Sequence, residues 1–279
     1  MMQKVNSSLK QRILTASILM PVVIAAILWF PTPLFALVLA LFVALGAVEW
    51  ARLAGLSSSS CQWGYAAFLT LSLCFFWWLS GYLSVVRILL LMAVGWWILA
   101  AVWVVRYPGS ASAWSKKWRR YLIGFLILIP AWVALVALHG HGDQGPWLVL
   151  LLMLLIWGAD SGAYFAGRKW GKDKLAPRVS PGKSWQGLWG GVLTSLLVTL
   201  LFGSIFPIHV EYRLYFIAVC MLVVFFSVLG DLVESMFKRE AGVKDSGVLL
   251  PGHGGVLDRI DSLTAAAPVF ALATLEVCL

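Results

Sequence analysis

Asp258 and Asp261 stand three residues apart in LPGHGGVLDRIDS (residues 250–262), a glycine-rich knot that opens onto an apolar run. Asp231 and Glu234 lie upstream in GDLVESMFKRE, and Asp160 lies in WGADSGAYFAGRKWGK. On a helix, i and i+3 spacing puts Asp258 and Asp261 on one face of a first turn. Asp231, Ser235 and Lys238, at i, i+4 and i+7, share a face of another helix. Carboxylates from separate helices are ligands of a hard divalent cation, and Mg2+ takes them together with substrate phosphates. The plainer reading makes each one a helix-start carboxylate facing the helix dipole, or half of an ion pair. All of these acids adjoin apolar runs. A charge at membrane depth costs about 2.5–3.5 kcal/mol on insertion scales. Four unpartnered carboxylates (Asp160, Asp231, Asp258 and Asp261) would then cost roughly 10 kcal/mol, comparable to a domain's whole stability. Something positive must neutralise them.

The basic residues nearby point to a phosphate partner. RKWGKDKLAPRVSPGKSWQG contributes Arg168, Lys169, Lys172, Lys174, Arg178 and Lys183, and FKREAGVKD contributes Lys238, Arg239 and Lys244. The same loops are rich in Gly and Pro, which lets backbone N–H groups approach an anion closely. SPGKS has the end of a P-loop but not its start: Pro177 stands where the pattern needs Gly, and no strand is expected before it. His253 has two readings, a ligand or general base, or a structural residue of a glycine turn. Cys61, Cys74, Cys220 and Cys278 have no CxxC spacing and imply neither a disulfide framework nor a zinc site.

The elements that position these residues are membrane helices. Of 279 residues 61% are hydrophobic and 12% charged, against about 45–50% and about 25% in a soluble domain. Apolar runs predict nine spans, near 13–30, 32–49, 63–80, 87–105, 121–138, 147–166, 188–207, 214–231 and 262–279. The first resembles a secretory signal, but its length and the many spans after it favour an uncleaved helix. Alternate connections (1–12, 50–62, 106–120, 167–187 and 232–261) hold 19 of the 21 Lys and Arg residues. The positive-inside rule puts this set, and the N-terminus, in the cytoplasm. That distribution accounts for the net charge of +9 without nucleic acid as a partner. Of the ten acidic residues from Asp160 onward, eight fall on or near the same side. The expected fold is an all-α polytopic bundle of about nine transmembrane helices. Residues 1–140 form N-terminal spans of undefined role, and 141–279 a catalytic half with cytoplasmic loops 167–187 and 232–261.

Two blocks resemble a known family. Ser235, Lys238, Arg239, Lys244, Asp245, Gly247, Leu250 to Gly255, and Asp258-Arg259-Ile260-Asp261 are similar in type and spacing to the signature of phosphatidate cytidylyltransferases, also called CDP-diacylglycerol synthases. The block from Asp160 to Gly191 also resembles this family, except that Gln186 stands where Glu is common, so no acidic role is carried over there. Residues 1–140 match in hydropathy alone.

The resemblance implies a reaction, CTP plus phosphatidic acid giving CDP-diacylglycerol and pyrophosphate, as a step of phospholipid biosynthesis. It implies Mg2+, room for a second, monovalent cation such as K+, and a homodimer in the cell inner membrane with its site facing the cytoplasm. Asp231, Asp258 and Asp261, with Asp160, are the implied metal ligands. Lys183, Lys238, Arg239, Lys244 and Arg259 would bind triphosphate, with Ser180, His253, Gly254 and Gly255 also at the nucleotide. Asp231, Asp258, Asp261, Lys238, Arg239 and Lys244 form the catalytic set. Burial of acyl chains is worth about 0.8 kcal/mol per CH2, so two chains of roughly fifteen methylenes hold the lipid in the bilayer, and CTP must come to the interface. The rival of another class is an ion-coupled transporter, which predicts carboxylates near the midplane and internal repeats. These carboxylates cluster at one surface, and no repeat is visible. A CDP-alcohol phosphotransferase would carry a DGxxAR pattern, which is absent.

Overall fold

A computed structural model describes residues 17, 19–206, 209–247, 249 and 254–275. Its helices are α1 (Leu19–Trp29), α2 (Thr32–Leu53), α3 (Ser59–Leu79), α4 (Leu83–Arg106), the short α5 (Ala111–Trp114), α6 (Lys117–His139), α7 (Gly145–Trp170), α8 (Trp185–Ile205), α9 (Arg213–Glu240) and α10 (Leu257–Thr274). The described part of each apolar run singled out in the sequence falls on one of these helices. Six of them, α2, α4, α6, α7, α8 and α9, are long and apolar enough to cross a membrane.

The helices overrun the apolar runs at the charged end. Expected span ends at 49, 166 and 231 become helix ends at Leu53, Trp170 and Glu240, and α10 begins at Leu257 rather than at 262. The backbone keeps its internal hydrogen bonds past the last apolar residue. Glu49, Asp231, Glu234, Lys238, Asp258 and Asp261 are therefore all helical and rigidly placed.

The all-α expectation needs one amendment. Loop 167–187 contains an antiparallel hairpin, β1 (Lys174–Ala176) with β2 (Ser180–Ser184), pairing Lys174 with Ser184 and Ala176 with Ser180. A strand does precede SPGKS, contrary to the sequence reading. SPGKS is itself strand β2, however, so the strand–loop–helix of a P-loop is not formed. The Ser184 side chain then accepts from the Gly187 N–H and caps α8.

Helix α10 is the hub. It packs against α2, α4, α6, α7 and α9, and Ala265, Ala266, Ala267, Phe270 and Ala271 are wholly buried. Its run of alanines lets the neighbours come close. At the α9–α10 crossing, a Cβ on Gly230 would collide with the Asp261 carbonyl oxygen. Between α7 and α8, Cβ atoms on Gly162, Gly190 and Gly191 would meet the opposing helix at less than contact distance. Small residues at such crossings are how helices pack closely in lipid. Elsewhere the bundle shows lipid-type surface. Leu193, Leu197, Leu200 and Leu201 on α8 are exposed, and so wide an apolar face is foreign to water-soluble monomers.

Candidate active site at one end of the bundle

The site forms where α9 ends and α10 begins. Lys238, one turn after Glu234, is buried between two carboxylates: its Nζ donates to Asp258 Oδ1 at 2.6 Å and lies 3.3 Å from Glu234 Oε1. Both Glu234 oxygens are buried without a hydrogen-bond partner, so the lysine serves Glu234 by charge alone. Glu234 lies beside Asp261, whose Oδ1 accepts from the Ser262 N–H at 2.7 Å. One turn back on α9, Asp231 accepts from the Ser235 hydroxyl at 3.1 Å and pairs with Lys183 of β2 at 2.8 Å. The hairpin thus carries a cation over to α9, and Lys183 also reaches the Val228 carbonyl at 3.5 Å. Asp160 of α7 is within electrostatic reach of Lys183, Asp231 and Arg259.

Asp258 is the most heavily bonded of the acids. Besides Lys238 on Oδ1, its Oδ2 accepts from the backbone N–H groups of Gly255 (2.8 Å) and Ser246 (2.9 Å) and from the Ser246 hydroxyl (2.9 Å). Gly254 has φ of 80°, and a Cβ there would stand 2.6 Å from the same Oδ2. Glycine is required at that position both by the left-handed backbone and by the space.

The sequence-predicted residues divide accordingly. Asp160, Asp231, Asp258, Asp261, Lys183, Lys238, Gly254, Gly255 and Arg259 come together. Arg239 is exposed one step outside, with its guanidinium on the Val179 carbonyl (3.1 Å), which ties the hairpin loop to α9. Lys244 is exposed on the loop after α9, and Ser180 lies at the start of β2. His253 falls outside the described residues. Gln186 accepts from the Lys172 and Asp173 backbone N–H groups and donates to the Asp173 carboxylate at 2.7 Å. It fastens the hairpin to α8, and a Glu could not make that last bond.

For a hard cation the donors are right in kind, since oxygen ligands arrive from α7, α9 and α10. Among the described residues no three acidic, His or Cys side chains close around a common point. Lysine ammonium groups stand where a cation would compete. Lys183 holds Asp231, and a metal on Asp258 would have to displace Lys238. The carboxylates of Asp160, Asp261 and Glu234 are the ones that carry no lysine hydrogen bond.

A cavity of about 350 Å³ starts at this end. Asp160, Asp258, Arg259 and Asp261 line its polar end, and Phe35, Leu39, Trp132, Leu135 and Met153 are among its apolar walls. It is built by α1, α2, α6, α7 and α10 together, so the N-terminal half supplies most of the apolar surface.

The sequence reading missed Glu49. It lies on α2, is 6% exposed, and accepts from the Ser246 hydroxyl (3.0 Å) and from the N–H groups of Val256 (3.0 Å) and Leu257 (2.8 Å). Its partners are about two hundred residues away, so no local pattern announces it. The nearest signal is an acid at the end of an apolar run.

Residues 10–276 match the Cytidylyltransferase family. The chain is 49% identical over 263 residues to a phosphatidate cytidylyltransferase of Pseudomonas aeruginosa, covering 94% of this chain and 96% of that one. It is 44% identical to the Haemophilus influenzae enzyme of the same name, covering 94% and 97%. A Bacillus subtilis phosphatidate cytidylyltransferase is 36% identical over 151 residues, about half of each chain. With agreement along nearly the whole length and the described signature residues gathered at one end of the bundle, this chain belongs to the phosphatidate cytidylyltransferase family.

Proposed function

We propose that this membrane enzyme joins CTP to phosphatidic acid, forming CDP-diacylglycerol and pyrophosphate, at the α9–α10 end of the bundle. The observation that carries the reading is the cavity. Its apolar shaft fits acyl chains and Arg259 at its polar end fits an acidic headgroup, which Asp160, Asp258 and Asp261 would accept only through a cation; family membership supplies the nucleotide. Arg259 at the mouth would orient the lipid phosphate, whose oxygen attacks the α-phosphorus of CTP in line. Exposed Arg239 and Lys244, with Lys183, would take the triphosphate and the leaving pyrophosphate. Transfers of this kind depend mainly on positioning and charge neutralisation. Lys238, held between Glu234 and Asp258, fixes the α9 and α10 carboxylates relative to each other. Asp261 and Asp160, with Asp231 and Asp258 once Lys183 and Lys238 yield, would hold Mg2+, which would supply charge neutralisation at the reacting phosphates.

The reading takes all nine apolar helices as spans with the N-terminus inside. Exposed Trp29, Trp78 and Trp147 at one set of helix ends, and Trp63, Trp118, Trp170 and Trp185 at the other, support two interfacial girdles. Location in the inner membrane, a homodimeric working unit and a monovalent second cation rest on the family resemblance. The transporter alternative gains little: Asp258 and Asp261 lie in the first turns of α10 and Asp231 in the C-terminal half of α9, although Asp160 stands ten residues inside the end of α7.

The test uses purified protein in detergent with phosphatidate, Mg2+, and CTP labelled on either the α- or the γ-phosphate. The α-label should enter the lipid phase and the γ-label should leave as pyrophosphate. EDTA should stop the transfer and Mg2+ restore it. Transfer of the γ-label to lipid would mean a kinase, and turnover in excess chelator would remove the metal from the reading.

A further inference from the structure

We infer that Glu49, contributed by the second helix of the N-terminal half, is a positioning residue for the transfer: it fixes where α10 starts and so where Asp258, Arg259 and Asp261 point. The inference rests on the proposed function for its kinetic consequence, though not for its geometry.

An α-helix leaves its first N–H groups without internal partners. In α10 no side chain at the N-cap position provides one. The Glu49 carboxylate does so from another helix, one oxygen on Val256 N–H and the other on Leu257 N–H. Its charge also faces the positive end of the α10 dipole, and no ion pair of Glu49 is among those formed by the described residues. The loop is shaped around this carboxylate. A Cβ on Gly247 or on Gly255 would collide with its oxygens.

The link onward to the site is the Ser246 hydroxyl. It stands 3.0 Å from Glu49 Oε2 and 2.9 Å from Asp258 Oδ2, and its single proton serves both. Asp258 in turn holds Lys238. A chain of contacts therefore runs from α2 through the loop to α10 and α9, giving the N-terminal half a part in placing the catalytic charges. A buried carboxylate that only helped the bundle fold would not need to meet the loop whose Ser246 bonds Asp258.

Glu49→Gln tests this. The amide keeps the size but turns one oxygen into a donor facing either Val256 N–H or Leu257 N–H and Ser246. Two quantities are read on purified protein: steady-state kinetics, and hydrogen exchange of a peptide covering 246–258. The expected result is a kcat at least about tenfold lower with the KM for CTP within about threefold, and faster exchange at residues 255–257. The thermal midpoint should stay within about 3 °C of wild type. A kcat within about twofold of wild type overturns the inference. So does an activity loss matched by loss of folded protein, with exchange in 246–258 unchanged. If Glu49→Gln does not fold, Ser246→Ala takes its place, since it spares both backbone contacts and removes only the bridge to Asp258. A severalfold loss of kcat at constant KM then supports the inference, and full activity overturns it. Wild-type protein that makes no CDP-diacylglycerol sinks the functional reading instead, and the exchange measurement still decides the placement of α10.

Discussion

Asp258 shows what single residues contribute. Four protein donors converge on its two oxygens, so it organises Lys238, the Ser246 loop and the first turn of α10 at once. Asp258→Asn swaps one acceptor for a donor and strands Lys238 beside Glu234, which breaks a buried pair from one side. Turnover should fall at least about a hundredfold, roughly 2.7 kcal/mol in the barrier, while the protein still inserts and purifies. Asp231→Asn should do the same, and the double variant should lose little more, because the residues act as a unit. Asp143→Asn, in an exposed turn before α7, is the control and should be silent. A helix-start charge with no other duty would instead cost only about 0.3–1 kcal/mol of stability with turnover intact. Local spacing made the shared face of Asp231, Ser235 and Lys238 readable from the sequence, and likewise Asp258 with Asp261. It could not reveal that lysines stand on these acids, since Lys183 lies 48 residues from Asp231 and pairs with it through a hairpin. Glu49 was hidden for the same reason.

At the scale of elements, the site depends on how closely α9 and α10 cross. Gly230→Ala would drive a methyl into the Asp261 carbonyl oxygen and part the two helices beside Asp231. Overpacking of this sort costs about 1–3 kcal/mol, seen as a lower thermal midpoint, and turnover should fall further than the loss of folded protein explains. Gly95→Ala, on α4 with open space around it, should be neutral or stabilising by up to about 1 kcal/mol. Equal behaviour of the two variants would show that the crossing does not matter. Hydropathy located every helix except the four-residue α5, because nine apolar runs have few other ways to exist. It misplaced the charged ends of α2, α7, α9 and α10, since mean hydropathy falls as charges accumulate whereas helical hydrogen bonding does not end there. The hairpin was missed because a three-residue and a five-residue strand, rich in Lys, Gly and Pro, show no alternation to read.

On the scale of the whole molecule, the site, the basic loops and one tryptophan girdle share one end, and the account makes that end cytoplasmic, where CTP is made. Reporters fused after residues 115, 178 and 245 should report cytoplasm, and those after 143 and 210 the opposite side. The most direct test combines sidedness with chemistry. Sealed vesicles of both orientations, from cells producing the wild-type chain or its Asp231→Asn variant, receive external CTP labelled at the α-phosphate. Inverted vesicles with the wild-type chain should form labelled CDP-diacylglycerol well above the variant. Right-side-out vesicles should do so only after permeabilisation. Turnover in intact right-side-out vesicles, or no excess over Asp231→Asn in either orientation, would contradict the account.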